Sequence, residues 1–129
     1  MYESWSPPNP GTSTYDNQKQ WCVNKGQRLC TYSEICPGGD QTDCSSTVNP
    51  VFGTINGDQW VAFDDPSLSS NAWVQIGDGR PNLVCDTHHD GCEGHDYLPM
   101  WGADGSVYEF EAYVACCPIK IGNLSFHIT

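Results

Sequence analysis

Basic residues are scarce in this chain: five Lys and Arg stand against sixteen Asp and Glu, a formal net charge of −11. A field of that sign repels nucleic acid and anionic lipid, so cationic partners and divalent metal ions are what it leaves open. Long apolar runs are also missing, and no segment approaches the ~20 residues of a membrane span. The opening MYESWSPPNPGTSTYDN is polar and Pro-rich, without the apolar centre of a signal peptide. Met1 therefore reads as an initiator placed before a mature or excised domain. Catalytic signatures are lacking too: there is no Gly-x-Ser-x-Gly elbow, no His-Glu-x-x-His and no phosphate-cradling glycine loop. Paired carboxylates such as Asp64 with Asp65 carry little weight in so acidic a chain. The expectation is a protein that is not an enzyme. Finally, no Cys-x-x-Cys pair is present, which argues against the spacing of most zinc sites.

What the chain does have is cysteine, eight in 129 residues. That density in a single domain's worth of sequence points to an oxidised framework in a secreted or cell-surface protein. Cys116 and Cys117 are adjacent, and neighbours in a strand point to opposite faces, so they should bond to two different elements. Cys36 with Cys44, and Cys85 with Cys92, are close enough in sequence to form local staples. Cys22 and Cys30 then remain for Cys116 and Cys117, in either order. Closing a loop of roughly 90 residues is worth about 4 to 5 kcal/mol in the chain-entropy account.

Residues 1–12 read as a Pro/Ser-rich linker or arm, residues 13–122 as the cysteine-rich domain, and residues 123–129 as an exposed tail. Asn123 opens an Asn-Leu-Ser glycosylation sequon in that tail. A first helix is expected from a Ser13 or Thr14 cap to Gly26, with Tyr15, Lys19 and Cys22 on one side. Arg28 to Cys30 suit a short strand. Thr31 and Glu34 then have the spacing of a capping box, which starts a second helix that Pro37-Gly38-Gly39 stops. A long loop follows to residue 59. Beyond it, QWVAFDD, AWVQIGDG, PNLVCDT and VYEFEAYVACCPI read as short strands separated by Gly, Asp and Pro. In the last of these, Glu109 and Glu111 share a face with Val107 and Tyr113, which suggests a half-buried strand. Two short helices followed by antiparallel strands and long loops make an α+β plan.

Several stretches resemble known families. QWCVNKGQRLCTYSEIC resembles the opening of C-type-lectin-like domains, and its G-x-R-L-x-T-x-x-E run is similar to the formylglycine-generating-enzyme branch of that fold. AWVQIGDGRPN is similar to the lectin strand and its Gly-x-Pro-Asn loop. A fuller resemblance, over residues 20–118, is to a cysteine-rich domain of secreted diatom and related algal proteins, with G-x-R-L-C-T-x-x-E-x-C-P, W-V-Q-I-G, C-x-T-H, Trp-Gly and a closing Cys-Cys. The resemblance implies a disulfide-rich lectin-like domain that binds carbohydrate. This chain departs from sugar-binding lectins in having Arg80-Pro81-Asn82 and Trp101-Gly102-Ala103 where those proteins place calcium and sugar ligands, and arginine offers no ligand oxygen.

Three sets of residues are candidates for chemistry. Dense acidic loops suit calcium, which takes six to eight oxygens; Asp64, Asp65 and Asp78 are the first choices, although each also fits an ordinary Asx turn. Residues 85–102, CDTHHDGCEGHDYLPMWG, gather His88, His89 and His95 with Asp90 and Asp96, a donor set that suits zinc, copper or nickel. Adjacent histidines point apart in extended chain, however, so the first reading is a stapled polar loop with His88 in a structural hydrogen bond, and the metal site is the second. Tryptophans supply the third set: Trp21 and Trp73 lie in apolar patterns and belong to the core, while Trp60 and Trp101, with Asn82, border polar loops and are the candidate ligand contacts. The expected function is an extracellular, non-catalytic binding module for carbohydrate or a cell-surface polymer, with calcium as its one candidate cofactor. The alternatives are a self-associating structural subunit of an extracellular coat or filament, and an ice-binding protein.

Overall fold

The structure, a computed structural model, describes residues 2–4, 14–41, 48–68, 70–80, 83–89, 97–105 and 110–119. Its elements run in the order β1 (Tyr2–Ser4), α1 (Tyr15–Asn24), β2 (Gln27–Leu29), α2 (Tyr32–Ile35), β3 (Trp60–Ala62), β4 (Trp73–Gln75), α3 (Met100–Asp104) and β5 (Tyr113–Pro118). This is a small α+β fold with antiparallel strand pairs, and none of the described helices is long and apolar enough to cross a membrane.

Local chemistry explains the first elements. Thr14 caps α1 by accepting the Asn17 amide at 3.1 Å, and Gly26, at φ 72°, takes the left-handed conformation that ends the helix. Tyr15, Gln18 and Cys22 form its buried stripe, the i, i+3, i+7 pattern of one helical face. Lys19, expected on that side, is exposed, and Gln18 lies inside in its place. Gln18 suits the interior because both ends of its amide are used: Nε2 donates to the Tyr113 carbonyl at 2.9 Å, and Oε1 accepts the Ala62 amide at 3.1 Å. The amide thus joins α1 to β5 and to β3. The expected capping box at α2 is present, with Thr31 and Glu34 satisfying each other's backbone amides.

β5 is the centre of a three-stranded sheet, flanked by β1 and β2. Cys116 lies opposite Leu29 and Cys117 opposite Arg28. The alternation of the strand sends the two sulfurs to different faces, where Cys22 on α1 takes Cys116 and Cys30 after β2 takes Cys117. The order that the sequence left open is therefore set by the helix covering one face. β3 and β4 form a second pair, Trp60 opposite Gln75 and Ala62 opposite Trp73. All six of its residues are buried, and the pair forms the middle of the core with Phe63, Ile76, Val114 and Tyr15.

Four expectations need correction. Cys36 bonds to Cys85, so the staples Cys36–Cys44 and Cys85–Cys92 do not form; Cys44 and Cys92 lie outside the described residues. Short separation is a weak guide here because loop-closure entropy grows only slowly with length, whereas packing brings Cys85 under α2. The Tyr32 hydroxyl donates to the Cys85 carbonyl at 2.6 Å, and the Cys85 amide donates to the Gln75 carbonyl of β4. Second, PNLVCDT is not a strand over Leu83–Asp86; it turns there, with Cys85 at φ 68°, and only Thr87 bridges back to Val74. Third, residues Tyr2–Ser4, expected within an arm, form β1 on the edge of β5. Fourth, Glu111 is fully buried and does not face solvent. The short helix α3 was not expected, because Pro99 and Gly102 obscure it. Gly102 is required there: a Cβ on it would stand 2.2 Å from Trp73 Nε1 and 2.3 Å from Asn71 Oδ1.

Candidate functional site

Where β2 passes into α2, it runs beside the exit of β3 for one residue pair. Thr31 bridges Asp64, and the Asp64 amide donates to the Cys30 carbonyl at 2.9 Å. Past that bridge the two chains separate, and a cleft of about 410 Å³ opens between them. Thr31, Tyr32, Ser33 and Gln41 line one side, and Phe63, Asp64, Asp65 and Pro66 the other. Asp64 is exposed and also walls a smaller cleft, about 170 Å³, lined by Tyr15, Lys19, Val23, Arg28 and Leu29. One carboxylate therefore stands between a hollow lined by hydroxyl, amide and acid groups and a hollow that carries two cations.

The walls are fixed from behind. Arg28 meets Glu34 through two parallel bonds of 2.7 Å each, and its guanidinium is the main reason that the Glu34 carboxyl lies well below the usual carboxylate range. Glu34 in turn takes the Thr31 amide at 2.8 Å and the Thr31 hydroxyl at 3.0 Å. Asp65 turns inward, where Oδ1 accepts the Ser67 amide at 2.9 Å and hydroxyl at 2.7 Å, and Oδ2 lies 3.1 Å from His89 Nε2. Burial opposes its charge, but the Ser67 bonds and His89 outweigh that, and its pKa is lowered. The Tyr15 hydroxyl holds the Phe63 carbonyl at 2.9 Å, so α1 supports the same wall.

Of the residues singled out from sequence, Asp64 and Asp65 reach this cleft. Asp78 does not: it sits on another loop, where its Oδ1 accepts the Gly57 amide at 2.9 Å. Asp65 and Asp78 are therefore both engaged in loop hydrogen bonds, and no three His, Cys, Asp or Glu side chains among the described residues converge as a metal site. The two neighbouring histidines, which lie in a turn, part company. His89 goes to Asp65 and lies over Phe63, with ring centroids 6.1 Å apart. His88 is buried, with Nδ1 at 2.8 Å from the Tyr97 carbonyl, the structural hydrogen bond of its first reading. His95 and Asp96, with Asp90, Asn82 and Asn123, lie outside the described residues.

Trp60 is not a surface contact. It is 2% exposed and its indole N–H donates to Asp58 Oδ1 at 2.9 Å; flanking polar loops misled because the polar residues there are spent on the tryptophan itself. Trp101 is half-buried, its ring packed against Trp73 at 5.0 Å, His88 at 5.4 Å and Trp60 at 6.3 Å. Trp73 is in the core as expected, while Trp21 is only partly buried, with Lys25 Nζ over its ring. The exposed apolar groups in this region are instead Tyr97, Leu98 and Met100. Sequence reasoning also missed Thr31, Ser33 and Gln41 as cleft residues, although the capping box that orients the first two was visible.

No curated protein and no solved structure matches the chain. A family model described as a domain of unknown function, DUF7495, matches residues 3–119. That span runs from within β1 to the end of β5, and the chain belongs to the DUF7495 family.

Proposed function

We propose that this domain is an extracellular, non-catalytic binding module that takes a carbohydrate or another hydroxyl-rich polymer in the cleft between Thr31 and Asp64. One observation carries the reading: a concave site lined by carboxylate, amide and hydroxyl groups, with Tyr32 and Phe63 among its lining residues, on a scaffold tied by three disulfides among the described residues. Carboxylates and amides accept and donate in the planar pairs that adjacent sugar hydroxyls require, and small-ligand sites combine such groups with apolar surface. The disulfides support an oxidising, extracellular setting, and the resemblance to lectin-like domains supports the ligand class.

The test is a glycan array followed by calorimetry on the best ligand, with wild type, Asp64→Asn and Ser33→Ala. A loss of roughly tenfold or more in affinity for each variant is expected; undiminished binding by both variants removes the cleft from the reading. Repeating the titration with calcium and with chelator examines calcium assistance, for which Asp64 and Asp65 are the carboxylates at hand.

A further inference from the structure

The three described bridges begin at Cys22 and end at Cys117, whereas β1 precedes them all. Among the described elements it is therefore one that can leave its sheet without a covalent bond breaking. Little holds it. Tyr2–Ser4 make three residue pairs with β5. The Tyr2 ring meets Phe52 edge-on at 5.3 Å, but its hydroxyl is buried with no hydrogen-bond partner among the described residues, a cost to the seated state. Glu3 meets Lys25 and the Trp21 indole N–H at the surface, where an ion pair contributes little.

β5 is the opposite case. Its following half, Cys116–Pro118, is paired with β2, the Tyr113 and Ala115 carbonyls are held by Gln18 and the Cys30 amide, and Cys116 and Cys117 fasten the strand to α1 and to the end of β2. When β1 departs, β5 stays in place and presents the backbone edge of Tyr113–Ala115, a template for another strand. The occupant that fits this edge in register and in side chains is the Tyr-Glu-Ser segment of a second copy. It restores each contact that was lost, so that exchange alters the balance only through association and the connecting segment. That segment, residues 5–13, contains Pro7, Pro8 and Pro10.

We propose that β1 is an exchangeable strand, and that the β5 edge at Tyr113–Ala115 is an interface for β1 of another copy of this chain. Exchange joins domains end to end or in reciprocal pairs, and it is independent of what the cleft binds.

Facing residues test this directly. Ser4 lies opposite Tyr113, so chains carrying Ser4→Cys are concentrated together with chains carrying Tyr113→Cys under mild oxidant, and the products are mapped by non-reducing electrophoresis and mass spectrometry. The expected result is a disulfide cross-link from position 4 of one chain to position 113 of another, forming about tenfold faster than cross-links from Ser4→Cys to a Val23→Cys control, because docking raises the effective concentration. Val23 is a suitable control because it is exposed on α1. A double variant with both substitutions in one chain reports whether β1 lies on β5 at all. The proposal is overturned if the mixture cross-links no faster than the control, whether the double variant closes its own bridge or fails to.

Discussion

Replacing Gln18 by Leu is the most informative single perturbation of the fold. The side chain is fully buried and its amide answers two backbone groups from different elements, the Ala62 amide of β3 and the Tyr113 carbonyl of β5. Leucine is similar in volume, so neither a cavity nor crowding is introduced. Both backbone groups lose their partner, the Ala62 amide in the buried interior and the Tyr113 carbonyl in a part-buried position. At ~1–3 kcal/mol for each orphaned group the loss is ~2–6 kcal/mol, of which the more apolar leucine returns ~1–2, leaving a net destabilisation of about 2.5 kcal/mol at the midpoints of the two ranges. For a domain of this size that corresponds to a melting point lower by roughly 10 °C. Urea unfolding with disulfides intact measures it, and Gln20→Leu is the control, since Gln20 is exposed on the same helix and bonds only to Asn24 in the hydrogen bonds described. Gln20→Leu should stay within about 0.5 kcal/mol of wild type. If Gln18→Leu unfolds at the same urea concentration as the control, the amide does not join the three elements.

Three further outcomes are expected. A non-reducing peptide map should recover Cys36 linked to Cys85, and changing both to Ser should cost about 3–4 kcal/mol, from closure of a loop 49 residues long; a Cys36–Cys44 or Cys85–Cys92 peptide would contradict the packing around Tyr32. Gly102→Ala should destabilise by about 1–3 kcal/mol through overpacking and change the tryptophan emission, because the new methyl collides with Trp73; an unchanged spectrum and midpoint would show that α3 gives way freely. Glu34 supplies a pH dependence. Its folded pKa is lowered chiefly by Arg28, so its contribution is complete above its ordinary value of about 4.5 and is lost as pH falls through the lower folded value. The stability difference between wild type and Glu34→Gln should therefore shrink between about pH 5 and pH 2, and a constant difference would refute the pairing.

Much of the first third of the fold was legible because its signals are local. Thr14, Gly26 and the Thr31–Glu34 box act on their own backbone neighbours, so their meaning does not depend on the rest of the chain. The adjacency of Cys116 and Cys117 was legible for a related reason: strand alternation alone sends them to different partners. What failed depended on long-range packing. Cys36 and Cys85 meet because β4 and α2 share a core, which no spacing rule records. Lys19 and Gln18 exchanged roles because a helical face is about 100° wide and the sequence does not say which edge of it points at β3. Trp60 was misplaced because Asp58, which looks like a surface loop residue, exists to take its indole N–H and the Gln75 amide. The cleft itself was half legible: Asp64 and Asp65 stood out by charge, but Ser33 and Gln41 become cleft residues only when β3 returns beside α2.

The covalent framework bears on the proposed recognition through that return. Cys30 is bonded to Cys117, its carbonyl holds the Asp64 amide, and Thr31, the next residue, starts the opposite wall of the cleft. Two covalent steps therefore separate the central strand β5 from the point where the walls diverge. Glu34 and Arg28 then lock the Thr31 side chain, and Ser67 and His89 lock Asp65, leaving the Asp64 carboxylate exposed on a backbone that is itself tied down. A binding group held in this way loses little conformational entropy on meeting its ligand, which is where affinity in a small polar site is usually lost. On this reasoning, cutting the Cys30–Cys117 bridge with paired Ser substitutions should weaken ligand binding at temperatures where the domain is still folded by circular dichroism, whereas cutting Cys22–Cys116, which reaches the cleft wall only indirectly, through α1 and the Tyr15 bond to Phe63, should lower the melting point with a smaller effect on affinity. Equal loss of affinity from both would mean that the bridges act on stability alone and that the cleft is not preorganised by them.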